Sequence, residues 1–313
     1  MIKKKPSVNK YRLVTRADFD GLVCASLLKE LGLIEDILFV HPKDMQDGKI
    51  KITGRDITAN LPYVEGAYLV FDHHRSEVAR VKKKSENYIF NPNAPSTARI
   101  VYDYYGGKNA FPQIQEEMIL AVDKADTANF LTDEVLNPSG WTLLSFLMDS
   151  RTGLGRFGDF DTSNFQFMKD LIDYCRKYTI DQILKLPDVK QRVDFYFRFQ
   201  DKFIRQIKRC SVLYANVLVI NLKEEKTIYP GNRFLKYTLF PRCNVSIMII
   251  WGLKRRNTVF TVGKSIFNKT CDKNLGEILS AYGGGGHSNA GTLQLPHEKE
   301  EEILNELIEK LKT

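Results

Sequence analysis

The chain has 313 residues, 43% hydrophobic and 27% charged, a balance that excludes extended disorder and collagen-like repeats and leaves room for about two domains. Lys and Arg number 46 against 38 Asp and Glu, a formal net charge of +8, which favours polyanionic ligands without identifying one and leaves a plain basic surface equally open. No apolar run approaches the roughly 18 residues of a membrane span, the opening MIKKKPSVNK lacks a signal-peptide core, and five scattered cysteines without a CxxC pair argue against a disulfide framework or a zinc ribbon. A cytoplasmic protein with no membrane contact is expected.

Residues 11–15 (YRLVT) read as a buried strand and residues 22–31 as a helix. Further strand-like runs lie at 37–40 and at 67–71 (AYLVF), the second directly before a charged cluster. This alternation predicts an α/β fold whose N-terminal domain is a mostly parallel sheet flanked by helices. Helical patterns cover 96–105, 114–125, 141–148 and 165–174. Residues 1–190 are assigned to this first domain and the aromatic-rich stretch 191–210 to a connector helix. A second, smaller α/β domain follows over 211–313, with strand-like runs at 216–222, 245–251 and 258–262 and a last helix carrying Ile303, Leu304, Leu307, Ile308 and Leu311 on one face. The basic runs 3–5 and 82–84 read as solvated surface.

Three motif matches carry no chemistry. GLGRFG at 153–158 satisfies GxGxxG but follows no hydrophobic strand. GKS at 263–265 would need a glycine at the position of Thr258 to close a phosphate-binding loop. No serine sits in a GxSxG elbow.

Acidic residues at strand ends are more informative, because open α/β sheets place their sites there. Asp18 and Asp20 follow the first strand and precede Gly21, Asp56 follows a candidate strand, and Asp72 follows AYLVF. A helix N-cap would explain one of Asp18 and Asp20 but not both; two carboxylates so close call for a cation. Asp72-His73-His74 is sharper still, since three metal-capable side chains in a row after a buried strand are hard to justify by packing. Carboxylates with an imidazole suit Mn²⁺, or else Mg²⁺, better than structural Zn²⁺, and several bridging-capable carboxylates suggest two ions about 3.5–4 Å apart. Downstream, Gly283, Gly284, Gly285 and Gly286 let backbone N–H groups approach an anion, with His287 as an added donor. The alternative is a flexible turn. Arg233, Lys236, Arg242, Lys254, Arg255 and Arg256 share that domain and read mostly as surface.

The order TRADFDG, Asp56, FDHH, DKADTANF and GGGGHSNAG resembles the DHH phosphoesterase superfamily with its DHH-associated C-terminal domain, over nearly the whole chain. The resemblance implies a manganese-dependent phosphoesterase that cleaves short oligonucleotides or nucleotide phosphates such as pAp by metal-activated hydroxide. Exopolyphosphatase-like phosphoanhydride hydrolysis is one alternative, and a noncatalytic nucleotide-binding or regulatory module is another. By resemblance Asp18, Asp20, Asp56, Asp72 and His73 are metal ligands, and Asp72, His73 and His74 carry catalysis, with His74 at the phosphate. Asp126 completes the ligand set in preference to Asp123, because Asp-Thr with Phe130 four residues on resembles the DTxxF pattern. Arg16, His74, the four glycines and His287 are the expected substrate binders, the second domain gripping substrate across a cleft. The chain departs from the family at Arg16, where a histidine is usual; a guanidinium cannot ligate a metal but suits a phosphate. The expected partner is a phosphate-rich small molecule or short oligonucleotide, and a homodimer is compatible with this reading.

Overall fold

The strand Tyr11–Thr15 (β1) is buried at Leu13, Val14 and Thr15, the continuous burial expected of a strand covered on both faces of a parallel sheet. In the computed structural model, which describes residues 10–81, 85–157 and 160–312, β1 lies inside a five-stranded sheet. The basic runs 3–5 and 82–84 and Gly158 of GLGRFG lie outside the described residues. The sheet continues with Ile34–Phe39 (β2), Asp56–Ala59 (β3), Leu69–Asp72 (β4) and Tyr88–Phe90 (β5), in the order β2-β1-β3-β4-β5. All four ladders are parallel, so the strand C-termini gather at one edge.

Three helices intervene between the strands, Phe19–Glu30 (α1), Pro42–Gln46 (α2) and Ser76–Arg80 (α3), and Thr97–Tyr105 (α4) and Glu116–Asp126 (α5) follow β5. Helix α1 starts three residues earlier than its apolar pattern predicts, because Asp18 adopts an extended conformation and caps it by accepting from the Gly21 N–H. Every residue of α1 from Phe19 to Leu28 is buried, so it is a core helix rather than an amphipathic surface one. Each of its fully buried leucines contributes about 1.5–3 kcal/mol of hydrophobic stabilisation, and Leu27→Ala would cost about 2–5 kcal/mol.

Two compact units result. The first takes the chain as far as Asn129 with Pro138–Ser150 and Leu154–Asp194; the second takes Phe130–Asn137, Arg151–Gly153 and the chain from Phe195 onward. Their division falls inside the single helix Pro187–Arg209. The second unit is built on a six-stranded sheet of Ser211–Tyr214 (β6), Val217–Asn221 (β7), Val245–Trp251 (β8), Thr258–Lys264 (β9), Gly285–His287 (β10) and Ala290–Leu295 (β11). Their order is β10-β11-β9-β8-β7-β6, with only β7 and β8 parallel. Leu307, Ile308 and Leu311 of the last helix and Leu275 and Leu279 of the helix Leu275–Ser280 complete its core. No helix among the described residues is long and apolar enough to cross a membrane.

Candidate metal centre

The loop from β1 into α1 is shaped by Gly21. A Cβ there would lie 2.1 Å from the Arg16 carbonyl oxygen, so only glycine lets the first turn of α1 fold back over the loop. That turn carries Asp20, which is buried and accepts from two backbone N–H groups at the start of α4, Thr97 at 3.0 Å and Ala98 at 2.7 Å. The unsatisfied amides of a helix N-terminus thereby fix a carboxylate 77 residues away in sequence.

His73 follows directly from β4. Its Nδ1 lies 3.1 Å from the Ala94 carbonyl oxygen, which can only accept, so Nδ1 carries the proton and Nε2 presents a lone pair. That Nε2 is buried and makes no hydrogen bond. It lies 3.1 Å from Asp126 Oδ2, at the end of α5, and 4.0 Å from Asp20 Oδ2. The three ligand atoms all fall within 4.8 Å of one another. In this tautomer three electron-rich groups face each other with no donor between them, which is the donor set of a cation site.

Electrostatics say the same. Burial, with Asp126 adding to it, pushes Asp20 up to about 7. Burial opposes a charged His73, yet Asp126 and Asp20 raise it to about 9. Asp126 is held below the usual carboxylate range by His73, against the effect of its own burial. Where no metal binds, a proton taken up by His73 offsets the charge of the two carboxylates. Two carboxylates and one imidazole fit Mn²⁺ or Mg²⁺ chemically.

Asp18 and Asp72, also expected as ligands, hydrogen-bond to the chain at this same edge. Asp18 accepts from the Gly21 N–H at 3.0 Å and from Asn60 Nδ2 at 2.9 Å, while Arg16 Nε lies 3.0 Å from its other oxygen. Asp72 is fully buried, and its Oδ1 accepts from the His74 N–H at 3.2 Å and faces His74 Nδ1 at 2.6 Å; Tyr88 donates to Oδ2 at 3.4 Å. Asp72 therefore orients His74, whose ring meets that of His73 edge-on at 4.6 Å. Asp123 is tied to Arg99, at 2.9 and 2.6 Å, and to Ser96 at 2.6 Å.

Asp56 requires a correction. It begins β3 rather than following a strand, and lies at the opposite edge of the sheet, where it accepts from Arg12 Nε at 2.7 Å and from the Thr53 N–H and hydroxyl at 2.7 and 3.0 Å. The four residues of β3 span on the order of 10 Å, so Asp56 cannot join Asp18. The residue that β3 brings to the edge of Asp18 is Asn60, which the sequence reading misses. Asn60 is buried with φ of 58°, a left-handed conformation asparagine tolerates better than most residues. A polar residue ending the run ITA is the available signal.

The glycine run belongs to the second unit. Gly285–His287 forms β10, an edge strand in which Gly286 pairs with Gly291. Gly286 has φ of 155°, and a Cβ there would lie 2.3 Å from the Ala290 carbonyl oxygen, so this glycine serves close strand packing. Gly285 meets nothing within 4 Å, and His287 is exposed, its Nδ1 accepting from the Asn289 N–H at 3.3 Å.

No family model and no curated protein matches the chain. Among solved structures, PggH, a pGpG-specific phosphodiesterase from Vibrio cholerae, is 54% identical with a TM-score of 0.85, covering 96% of this chain and 99% of that one. RecJ from Thermus thermophilus in complex with Mn²⁺ is 11% identical with a TM-score of 0.54, covering 97% of this chain and 52% of that one, a likeness of fold. Identity of 54% over nearly all of both chains, joined to the DxDG, DHH and GGGGH motifs in their expected order, makes this chain a member of the DHH phosphoesterase superfamily.

Proposed function

We propose that the chain is a metal-dependent phosphodiesterase acting on pGpG or closely related short oligonucleotides. The observation that carries it is the convergence of Asp20, His73 and Asp126 on one point with no donor between them; the substrate class follows from the pGpG-specific relative. A divalent cation, Mn²⁺ before Mg²⁺, would supply Lewis acidity and a water of lowered pKa at this centre. The chain supplies the rest. Ala94 holds the His73 tautomer and the α4 amides hold Asp20, so neither ligand must reorganise when the ion arrives. Asp72, bonded at Nδ1, leaves His74 Nε2 for a phosphate oxygen. Arg16 and, in the second unit, Gly283, Gly284, Gly285, Gly286 and His287 are proposed to bind substrate phosphate or base.

This arrangement supports one ion more readily than the two suggested by counting carboxylates. Asp18 is already supplied with donors by Gly21 and Asn60, and the Arg16 guanidinium brings a fixed positive charge to the carboxylate a second ion would need.

Turnover decides between the readings. With Mn²⁺ and a panel of pGpG, other dinucleotides, cyclic dinucleotides, pAp and polyphosphate, release of GMP from pGpG is expected. Phosphate release from polyphosphate alone would favour the exopolyphosphatase-like alternative, and binding without product would favour the noncatalytic module.

A further inference from the structure

Lys236 lies in the short helix Leu235–Leu239 of the second unit and is only 8% exposed. Among the described residues its ammonium has no carboxylate partner and no hydrogen bond; its recorded contact is the Tyr237 ring, with the nitrogen 5.0 Å from the centroid. Burial of an unpaired ammonium is unfavourable, and packing gives no reason for it, since a methionine would fill the same space. The surroundings add more positive charge. Arg233 lies just before the N-cap Phe234 of this helix, and Arg151 is the other cation acting on Lys236; burial first, then these two arginines, bring Lys236 down to about 8, with Cys243 acting the other way. The turn that carries Arg233 and leads into the helix of Lys236 is closely packed. Pro230, Gly231 and Asn232 are buried, the Asn232 side chain accepts from the Phe234 N–H at 2.9 Å, and a Cβ on Gly231 would lie 2.2 Å from the Phe203 ring.

We propose that Lys236, with Arg233 and Arg151, forms an anion site in the second unit that takes the terminal 5′-phosphate of a short oligonucleotide. The proposal rests on the reading of the chain as a phosphodiesterase of pGpG-like molecules. A phosphate monoester carries about −1.5 to −2 charge at neutral pH, whereas the linkage between nucleosides carries a single charge. A buried ammonium with no carboxylate partner of its own, on which two further cations act, matches the more highly charged group. It does not match a base, which offers neutral donors and acceptors. The site would thus separate 5′-phosphorylated dinucleotides from their unphosphorylated counterparts.

Calorimetric titration of the full chain in chelator, where turnover is absent, tests this with pGpG, GpG and inorganic phosphate as probes. The wild-type chain should bind pGpG about tenfold or more tightly than GpG, the scale of hydrogen bonds to a charged group, and inorganic phosphate should compete with pGpG. Lys236→Met, which keeps volume and removes charge, should bring the pGpG affinity to that of GpG, while Lys236→Arg retains part of the preference. Should Lys236→Met fail to fold by circular dichroism, Arg233→Gln gives the same reading. Equal affinity of the wild-type chain for pGpG and GpG, or an unchanged preference in the folded variants, overturns the proposal. Failure of the phosphodiesterase reading registers separately, as absence of Mn²⁺-dependent product from pGpG, and leaves the binding comparison measurable.

Discussion

The two edges of the five-stranded sheet each bury an aspartate, and they treat it in opposite ways. At the edge where the strands begin, Asp56 is 1% exposed and receives three donors from Arg12 and Thr53. Burial alone would raise it, but those donors hold it below the usual carboxylate range. At the edge where the strands end, Asp20 is 2% exposed, almost the same burial, yet it is pushed up to about 7. Burial therefore does not separate scaffold from site. What separates them is whether the chain itself supplies enough donors: Asp56 has them, whereas Asp20, His73 and Asp126 lack a positive partner that only a proton or a metal can provide. Concavity does not separate them either, for a cavity of about 490 Å³ opens beside Asp56, lined by Lys10, Arg12, Glu35, Lys51, Thr53, Arg55 and Asp56.

Substitutions at the two edges should differ sharply. Asp20→Asn and His73→Ala should each lower kcat on pGpG by about a thousandfold, the scale of losing a preorganised electrostatic group, with the fold retained by circular dichroism. Asp56→Ala should do the reverse. Mn²⁺ affinity should stay unchanged, while urea denaturation should show a loss of about 1–3 kcal/mol as Arg12 and the Thr53 N–H lose their acceptor. Loss of Mn²⁺ binding by Asp56→Ala at full stability would erase the contrast.

The pH response sharpens the comparison on a smaller scale. His73 is raised to about 9 in the folded chain from 6.5, so its contribution is complete below pH 6.5 and is lost as pH rises through 9. Asp20, raised to about 7 from 3.8, favours the folded state while protonated and loses that contribution as pH rises from 3.8 through 7. Both act in one direction. The chelated protein should melt at a lower temperature at pH 9 than at pH 6, by on the order of 5 °C, and Mn²⁺ should close this gap by replacing the proton. Equal melting temperatures at both pH values in chelator would mean that the trio is not frustrated. The smallest effect is expected at Arg16, whose removal should raise KM for pGpG about threefold, within the range of an exposed charge pair, and change kcat less. An unchanged KM would show that Arg16 serves Asp18 alone.

Much of this site is legible in the sequence. β1 and β4 read as apolar runs leading to Asp18 and Asp72, and the DHH run announces metal chemistry. Asp56 misleads because DITA is four residues long and flanked by polar ones, so its pattern does not tell which end carries the aspartate. Only the parallel register of Arg12 with Asp56 and of Thr15 with Ala59 does so. Asn60 escapes a search for carboxylates, while its carboxamide reaches the same edge. The bonds that fix Asp20 come from Thr97 and Ala98, beyond the reach of local periodicity. The strand β10 reads as a loop because glycine carries no strand signal of its own.

The most direct test is titration of Mn²⁺ into chelator-stripped protein, followed by electron paramagnetic resonance together with pGpG hydrolysis, for the wild-type chain, Asp126→Asn and Asp56→Asn. One magnetically isolated ion per chain is expected, lost together with GMP release in Asp126→Asn and retained in Asp56→Asn. Undiminished Mn²⁺ binding and hydrolysis in Asp126→Asn, or loss of the ion in Asp56→Asn, would contradict it.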